Sequence, residues 1–465
     1  MILFAHSFFL AQDAKQREKM KPYAPLSTLL AAALVRRAGR EVVLFDATFE
    51  AGPQAFIVAL ERLRPSGVVL MEDNFNFLTK MCTAVRRESA LAMVRAARAR
   101  GCRVAVNGPD AADHPELYLE AGAQVVVLGE GEEAVAETVA CWERGEDPDA
   151  VAGLVLLGED GRTQRTAPRR AMQNLDRLPP PAWDLVDVAA YRTAWTRAHG
   201  RFSWNIATSR GCPYACNWCA KPTFGRRYTV RSPGDVVREM ARLKAEIAPD
   251  HLWFTDDILG LDVDWICDFA DGVVAAGAAI PFSMQSRVNL MTERAVAALA
   301  AAGAREVWLG VETGSQKILD AMDKAATIEA ARTATRVLKA HGVKACWFIQ
   351  LGYPGETWED LLATRDLIRQ EGPQEVGVSV AYPLPGTTFH DRVAAQLGGQ
   401  RNWKDTGDLA MLFQGTYDSA FYRKVRDVLH REVDTGRWDD AAWTVLEAQA
   451  VLHRSPAPST LAVEA

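Results

Sequence analysis

No stretch of this 465-residue chain reaches the roughly 18 consecutive apolar residues that a bilayer-spanning helix requires. Nor does it hold a long basic run. With a formal net charge of −6, it offers no electrostatic footprint for nucleic acid or an anionic membrane surface. Its 8 cysteines are spread too thinly to form the dense framework of a small secreted domain. The opening Met1-Ile-Leu-Phe-Ala-His-Ser-Phe-Phe-Leu-Ala lacks a basic n-region and a convincing cleavage site, so it reads as a buried first strand rather than a signal peptide. What remains is the make-up of an ordinary folded protein, 49% hydrophobic and 24% charged. The length suits about three domains.

Against that background one segment stands out: Arg210-Gly-Cys-Pro-Tyr-Ala-Cys-Asn-Trp-Cys219. Cys212, Cys216 and Cys219 follow a C-x3-C-x2-C spacing on one loop. Three such thiolates hold three corners of a cubane [4Fe–4S] cluster and leave the fourth iron open to a ligand. Structural zinc instead takes four closed ligands, usually as two separated pairs. The next thiol is Cys267 and the next imidazoles are His199 and His251, all distant in sequence. The other cysteines, Cys82, Cys102, Cys141, Cys267 and Cys346, lie in apolar stretches and read as inert buried thiols.

Residues 1–145 alternate short apolar strands with amphipathic helices. Strands are expected at Met1–Ala5, Glu41–Phe45, Gly67–Met71, Arg103–Val106 and Gln124–Leu128, with helices near 26–38, 51–63, 78–99 and 131–143. Strict β–α alternation predicts a doubly wound, Rossmann-like parallel sheet. Such sheets bind ligands at the carboxyl ends of their strands. Polar or glycine-rich turns fall there: Asp73-Asn74-Phe-Asn76, Asn107-Gly108-Pro109 and Gly129-Glu130-Gly131. A hairpin through Asp160-Gly161 follows, and then Leu178-Pro-Pro-Pro-Ala-Trp-Asp184, which no regular element can absorb.

From Ser203 a second β–α series begins, with strands expected at 203–208, 251–255, 281–286, 306–311, 344–351 and 375–381. Six strands make a partial, TIM-like (β/α)6 barrel whose reactive residues belong at its C-terminal rim. The cysteine loop, Asp256-Asp257, Arg287, Glu312 and Gly352-Tyr-Pro-Gly-Glu356 all fall at that rim. Asp256 and Asp257 suit a cap or polar network as well as catalysis. After about 395 the helical spacing of 421–430 and 440–451 predicts a small helical domain over the barrel mouth, with Trp403 and Met411–Tyr417 lining a pocket or burying the cap. The last dozen residues read as frayed. The expected domains are 1–150, a connector at 151–200, a barrel at 201–392 and a helical cap at 393–465.

The cysteine spacing resembles the signature of radical S-adenosylmethionine (SAM) enzymes. Lys21–Leu30, Val106–Asp110 and Val127–Glu133 resemble the cobalamin (B12)-binding domain that some of those enzymes carry. Gly225–Arg238, Gly310–Gln316, the Lys324 segment and Leu351–Thr357 extend the likeness to B12-associated radical SAM families over about 1–390. The resemblance implies a metal-binding protein with three cofactors: an iron–sulfur [4Fe–4S] cluster, SAM chelated to its open iron, and cobalamin. It implies Cys212, Cys216 and Cys219 as cluster ligands, Trp218 beside the adenine or over the cluster, Arg287 on the SAM carboxylate, and Glu312 on the SAM hydroxyls or amino group. It also places Asn74, Asn76, Gly108, Gly129 and Glu130 at cobalamin. The Asp-x-His-x-x-Gly loop that supplies an axial imidazole in many cobalamin proteins is absent, since Asp113-His-Pro-Glu-Leu-Tyr118 has neither its spacing nor its glycine.

By that resemblance the chain is an enzyme, a methyltransferase acting on an unactivated carbon, or on phosphorus, of a small molecule. The same architecture also fits an oxidative cyclisation or rearrangement, and a first domain that has lost B12 fits a docking scaffold. The implied partners are a small-molecule substrate and a reductant such as flavodoxin or ferredoxin, with neither nucleic acid nor membrane. An oxygen-labile cluster favours the reducing cytoplasm.

Overall fold

The computed structural model describes residues 1–453, apart from 77, 78, 80, 82, 159, 220–223, 398–401, 406, 408 and 409. Cys82 and the last dozen residues therefore lie outside the described residues.

The first unit is a 7-stranded sheet in the order β2-β1-β3-β4-β5-β6-β7. Its strands are β1 (Ile2–Ala5), β2 (Val42–Phe45), β3 (Gly67–Met71), β4 (Arg103–Asn107), β5 (Val125–Val127), β6 (Leu154–Leu157) and β7 (Thr163–Arg165). The first five pair in parallel. All five residues of β3 are buried, which is why it reads as an unbroken apolar run. Its neighbours are joined by α1 (Leu26–Arg37), α2 (Pro53–Leu63) and α3 (Ala84–Ala99), with α4 (Glu132–Arg144) after β5. The helix expected over 78–99 is interrupted at Thr83; its continuous part is Ala84–Ala99, and 78, 80 and 82 lie outside the described residues. The hairpin placed in the connector belongs to this sheet: β6 pairs antiparallel with β5 and covers an edge that would otherwise lie open.

Helix α1 is buried on nearly every side. Leu26, Leu29, Leu30 and Ala33 enter the core of the barrel, while Ala31, Ala32 and Val35 enter the core of the first sheet. The 26/29/30/33 spacing is one helical stripe, so two apolar faces of one helix serve two domains. Helix α5 (Val188–His199), which the sequence reading left inside the connector, reinforces the join. Its Trp195 Nε1 donates to Pro22 O at 2.6 Å, and Tyr191 Oη donates to Asp46 Oδ2 at 2.8 Å.

The second unit is a parallel 6-stranded sheet in the order β15-β14-β13-β12-β11-β8. It comprises β8 (Ser203–Ile206), β11 (His251–Phe254), β12 (Phe282–Ser286), β13 (Ala304–Glu312), β14 (Lys344–Leu351) and β15 (Glu375–Val380). A two-stranded ribbon, β9 (Ser209–Arg210) with β10 (Thr229–Val230), follows the first of these. The helices α6 (Pro233–Arg242), α7 (Val263–Ala275), α8 (Glu293–Ala302), α9 (Ile328–Ala340) and α10 (Trp358–Glu371) lie between strands. Val307, Leu309 and Val311 of β13 enter the core, and alternation sends Glu306, Trp308, Gly310 and Glu312 to the other face. There Trp308 stacks on Phe348 at 4.9 Å.

The tail helices α11 (Ser419–Thr435) and α12 (Asp440–Leu452) share the barrel core through Phe421, Tyr422, Val425 and Trp443. Glu432 of α11 accepts from Arg369 of α10 at 2.6 Å and from Trp443 Nε1 at 3.0 Å. The tail also reaches the carboxyl end of the barrel, where a Cβ on Gly352 would meet Met411 Sδ at 2.5 Å. The chain is thus mixed α/β, a doubly wound sheet joined to a partial (β/α)6 barrel. Among the described residues no helix is long and apolar enough to cross a membrane.

Candidate active site

The cysteine loop sits where β8 runs out at the barrel rim, bracketed by the β9–β10 ribbon. Asp256, at the end of β11, anchors its base by accepting from Thr208 N at 3.0 Å, from Thr208 Oγ1 at 2.7 Å and from Ser209 Oγ. Asp256 therefore takes the polar-network role, and burial raises its pKa. Gly211 holds φ +78°, and a Cβ there would lie 1.9 Å from Arg227 O, so only glycine closes the loop.

Asn217, between the second and third cysteines, is the loop's main tether. Its backbone N–H donates to Met322 O at 3.1 Å, its Nδ2 donates to Ala321 O at 2.8 Å, and its Oδ1 accepts from Tyr353 Oη at 2.8 Å. Cys212 and Cys216 are buried and Cys219 is half-buried. Of the other thiols, Cys102, Cys141 and Cys346 are buried as expected, whereas Cys267 is half-buried. That corrects one expectation: the helix carrying Cys267 turns it only partly inward.

Glu312 and Arg287 converge on the same rim. Glu312 is 4% exposed, holds φ +68° at a bulge against β14, and pairs with Lys324 Nζ at 2.5 Å. A left-handed glutamate costs roughly 1–3 kcal/mol and persists where surrounding structure over-determines it. Gly310 makes room for the pair, since a Cβ there would lie 2.6 Å from Lys324 Nζ and 2.7 Å from Glu312 Oε1. Arg287 Nη1 donates to Cys216 Sγ at 3.3 Å, Nη2 donates to Lys324 O, and the guanidinium lies 3.7 Å from the Tyr214 ring centroid. Its partners here are the cysteine loop and the Lys324 turn, a setting that sequence reasoning missed. Trp218 stands with its ring 5.8 Å from Lys324 Nζ.

At the carboxyl edge of the first sheet the candidate cobalamin residues form a ladder. Asn74 Nδ2 donates to Asn107 Oδ1 at 2.9 Å, and Asn107 Nδ2 donates to Val127 O at 2.9 Å and Gly129 O at 3.1 Å. Gly129 takes φ +71°, and a Cβ on Gly131 would meet Asn107 at 2.8 Å. Gly108 approaches Glu72, whose Cβ would lie 2.9 Å from an added methyl. Asn76 closes the β3 turn by donating its N–H to Asp73 O at 3.0 Å. Glu130 accepts from Met172 N at 3.1 Å and pairs with Arg210 at 3.3 Å. Burial also raises the pKa of Asp73, to about 6. His6 ends β1 here, its Nε2 2.9 Å from Asp46 Oδ1.

Both regions fit their cofactors on their own donor sets. Among the described residues, the one trio of His, Cys, Asp or Glu whose ligand atoms converge within 4.8 Å is Glu306, Cys346 and Glu375. Cys212, Cys216 and Cys219 stand on one short loop, three thiols for three corners of a cubane cluster. Buried polar atoms without a partner lie at both sites: Ser7 Oγ, Asn74 Oδ1 and Arg86 Nη1 at the first sheet's edge, and Trp218 Nε1 and Gln350 Oε1 in the barrel. Orphaned groups of this kind point to a polar ligand.

Two family models match the chain, the Radical SAM superfamily over 206–368 and the B12 binding domain over 21–139. The chain is a B12-binding radical SAM protein. Its cofactors are those of the two families: a [4Fe–4S] cluster, SAM and cobalamin. It is 29% identical to an uncharacterized methyltransferase of Pyrococcus horikoshii over 65% of each chain. It is 26% identical to an anaerobic magnesium-protoporphyrin IX monomethyl ester cyclase of Rubrivivax gelatinosus, over 58% of this chain and 49% of the relative. A hopanoid C-3 methylase of Methylococcus capsulatus is 26% identical over 80% of this B12-binding radical SAM protein and 69% of its own length. The first two matches thus span under two thirds of those relatives. The fold is similar to that of the radical SAM methyltransferase TsrM from Kitasatospora setae, with a TM-score of 0.71 at 20% identity over 86% of this chain and 79% of that one.

Proposed function

We propose that this protein is a cobalamin-dependent radical SAM enzyme that methylates an unactivated carbon of a small molecule. The observation that carries the reading is that the cysteine loop and the first sheet's carboxyl edge meet directly. Phe75 of the β3 turn packs on Phe224 of the cysteine loop at 4.9 Å, so both cofactor regions open on one interface. Two relatives are named as methyltransferase and methylase, which supports transfer of a methyl group.

When bound, the cluster with SAM supplies homolytic hydrogen abstraction and cobalamin supplies the methyl group. The chain's own residues orient and shield. Cys212, Cys216 and Cys219 hold the cluster, and Arg287 sets a positive charge beside the Cys216 thiolate. Hydrogen bonds to cluster sulfur tune its potential. Glu312, held by Lys324, offers a carboxylate to the hydroxyls or amino group of SAM, and Trp218 covers the adenine side. The Asn74–Asn107–Gly129 ladder sets the turns that face cobalamin. Met411, Tyr417 and Tyr422, all buried, close the barrel end and exclude water from a radical site. The substrate is a small molecule, and a flavodoxin- or ferredoxin-type reductant supplies electrons.

The test uses SAM carrying a deuterated methyl group with reconstituted protein, reductant and cell metabolites. A small molecule that gains one labelled methyl supports the reading. A product that loses hydrogens without gaining the label supports cyclisation, the reaction of the cyclase relatives, instead.

A further inference from the structure

Arg210 and Glu132 form an ion pair that is buried at both ends, 3% and 1% exposed at their side chains, although 78 residues separate them. Arg210 Nη2 donates to Glu132 Oε1 at 2.6 Å and Nη1 donates to Oε2 at 3.2 Å, a two-pronged contact that fixes direction as well as distance. Glu130 Oε2 adds a third contact at 3.3 Å. The guanidinium lies 5.6 Å from the ring of Phe75 and 5.3 Å from that of Phe224, one ring from each domain.

The positions of the two residues give the pair its meaning. Arg210 is in β9, two residues before Cys212, so at most about 7 Å of extended chain separates it from the first cluster ligand. Glu132 opens α4 directly after the Gly129–Gly131 turn, which Asn107 ties to Asn74 and so to the ends of β3 and β4. One guanidinium therefore links the base of the cluster loop to the turn ladder of the other domain. Burying charge is a poor route to stability, because desolvation offsets the attraction. Its return is a fixed geometry.

We propose that Arg210 and Glu132 are positioning residues that set the distance and orientation between the cluster loop and the first domain's strand-end crevice. The inference rests on the two-cofactor reading above. A methyl group and a carbon radical must approach to about 3–3.5 Å, and a misplacement of about 1 Å costs on the order of 100-fold in rate. A latch between the two cofactor-bearing elements acts on that approach. It leaves the cluster's own ligands untouched.

The experiment compares wild type, Glu132→Gln and Arg210→Lys, each reconstituted with iron, sulfide and hydroxocobalamin. Pulsed electron paramagnetic resonance reads the dipolar coupling between cob(II)alamin and the reduced cluster, and so their separation. Wild type should give one narrow distance. Both variants should keep their iron and cleave SAM to 5′-deoxyadenosine within about twofold of wild type, while the distance broadens or shifts and methyl transfer falls on the order of 100-fold. An unchanged distance in both variants, even with a lowered melting temperature, would overturn the proposal and leave the pair a purely stabilising one. If Glu132→Gln is insoluble, Arg210→Lys is read alone and in the same way. A wild-type sample that takes up no cobalamin refutes the two-cofactor reading, and the latch with it, before any variant is compared.

Discussion

Glu312 stands in a left-handed backbone conformation with its carboxylate 2.5 Å from Lys324 Nζ, and both side chains are almost wholly buried. A strained, desolvated ion pair at a barrel rim is a costly arrangement, and its site beside the cysteine loop gives it a use. Glu312→Ala should weaken SAM binding by about tenfold or more while iron content stays at the wild-type level, since a charge-assisted hydrogen bond is worth roughly 1.5–3 kcal/mol. Isothermal titration of the anaerobic protein with SAM checks this. Unaltered affinity would remove Glu312 from the SAM site.

Two glycines of the cysteine loop should behave differently. Gly211 and Gly225 both hold positive φ, yet a methyl group on Gly211 would lie 1.9 Å from Arg227 O, whereas one on Gly225 meets nothing within 4 Å. Gly211→Ala should abolish cluster assembly. Gly225→Ala should lower stability by about 1 kcal/mol and retain iron. Iron and sulfide assays on the two proteins decide the point.

Glu356 is fully buried beneath the turn after β14, accepting from Gly352 N at 2.7 Å, and burial raises its pKa to about 8. In the unfolded chain the same carboxyl titrates near 4.5. Its folded-state pKa is the higher one, so stability is undiminished below about pH 4.5 and falls as pH rises from there to about 8. Glu356→Gln should therefore match wild type in melting temperature at pH 4 and exceed it increasingly towards pH 8. A gain at pH 4 as large as at pH 8 would count against a neutral buried carboxyl.

His6 is an imidazole at the first sheet's carboxyl edge that must be watched in the cobalamin state. It is 2% exposed and held by Asp46 at 2.9 Å, and the Asp-x-His-x-x-Gly loop is missing. Cobalamin should bind with its own base displaced and without a histidine of the protein on its lower face. In the cob(II)alamin resonance, a nitrogen directly below cobalt splits each cobalt line into three. Unsplit lines are expected. A triplet that disappears in His6→Ala would assign the ligand to His6.

Much of this architecture is legible in the chain because parallel strands buried on both faces read as apolar runs. Gly67–Met71 and Lys344–Leu351 span in the structure what the sequence reading expects. Features that depend on distant partners are not legible. The hairpin through Asp160-Gly161 is expected, but its joining the first sheet is not, because that depends on β6 pairing with the distant β5. The Arg210–Glu132 pair leaves no local pattern, since its partners lie in different domains. Arg287 reads as a rim cation for the SAM carboxylate, and only the folded loop brings Cys216 Sγ within 3.3 Å of it. The cysteines carry their own message, because three ligands in one short loop need no tertiary information to be recognised.

The central claim is that Cys212, Cys216 and Cys219 hold the cluster on which the chemistry depends. The most direct measurement is iron content together with 5′-deoxyadenosine formation in the triple variant Cys212→Ala, Cys216→Ala, Cys219→Ala, with Cys267→Ala as the comparison. The account predicts that the triple variant loses both the broad iron–sulfur absorption and all SAM cleavage, while Cys267→Ala keeps both. Wild-type iron content and SAM cleavage in the triple variant would contradict it.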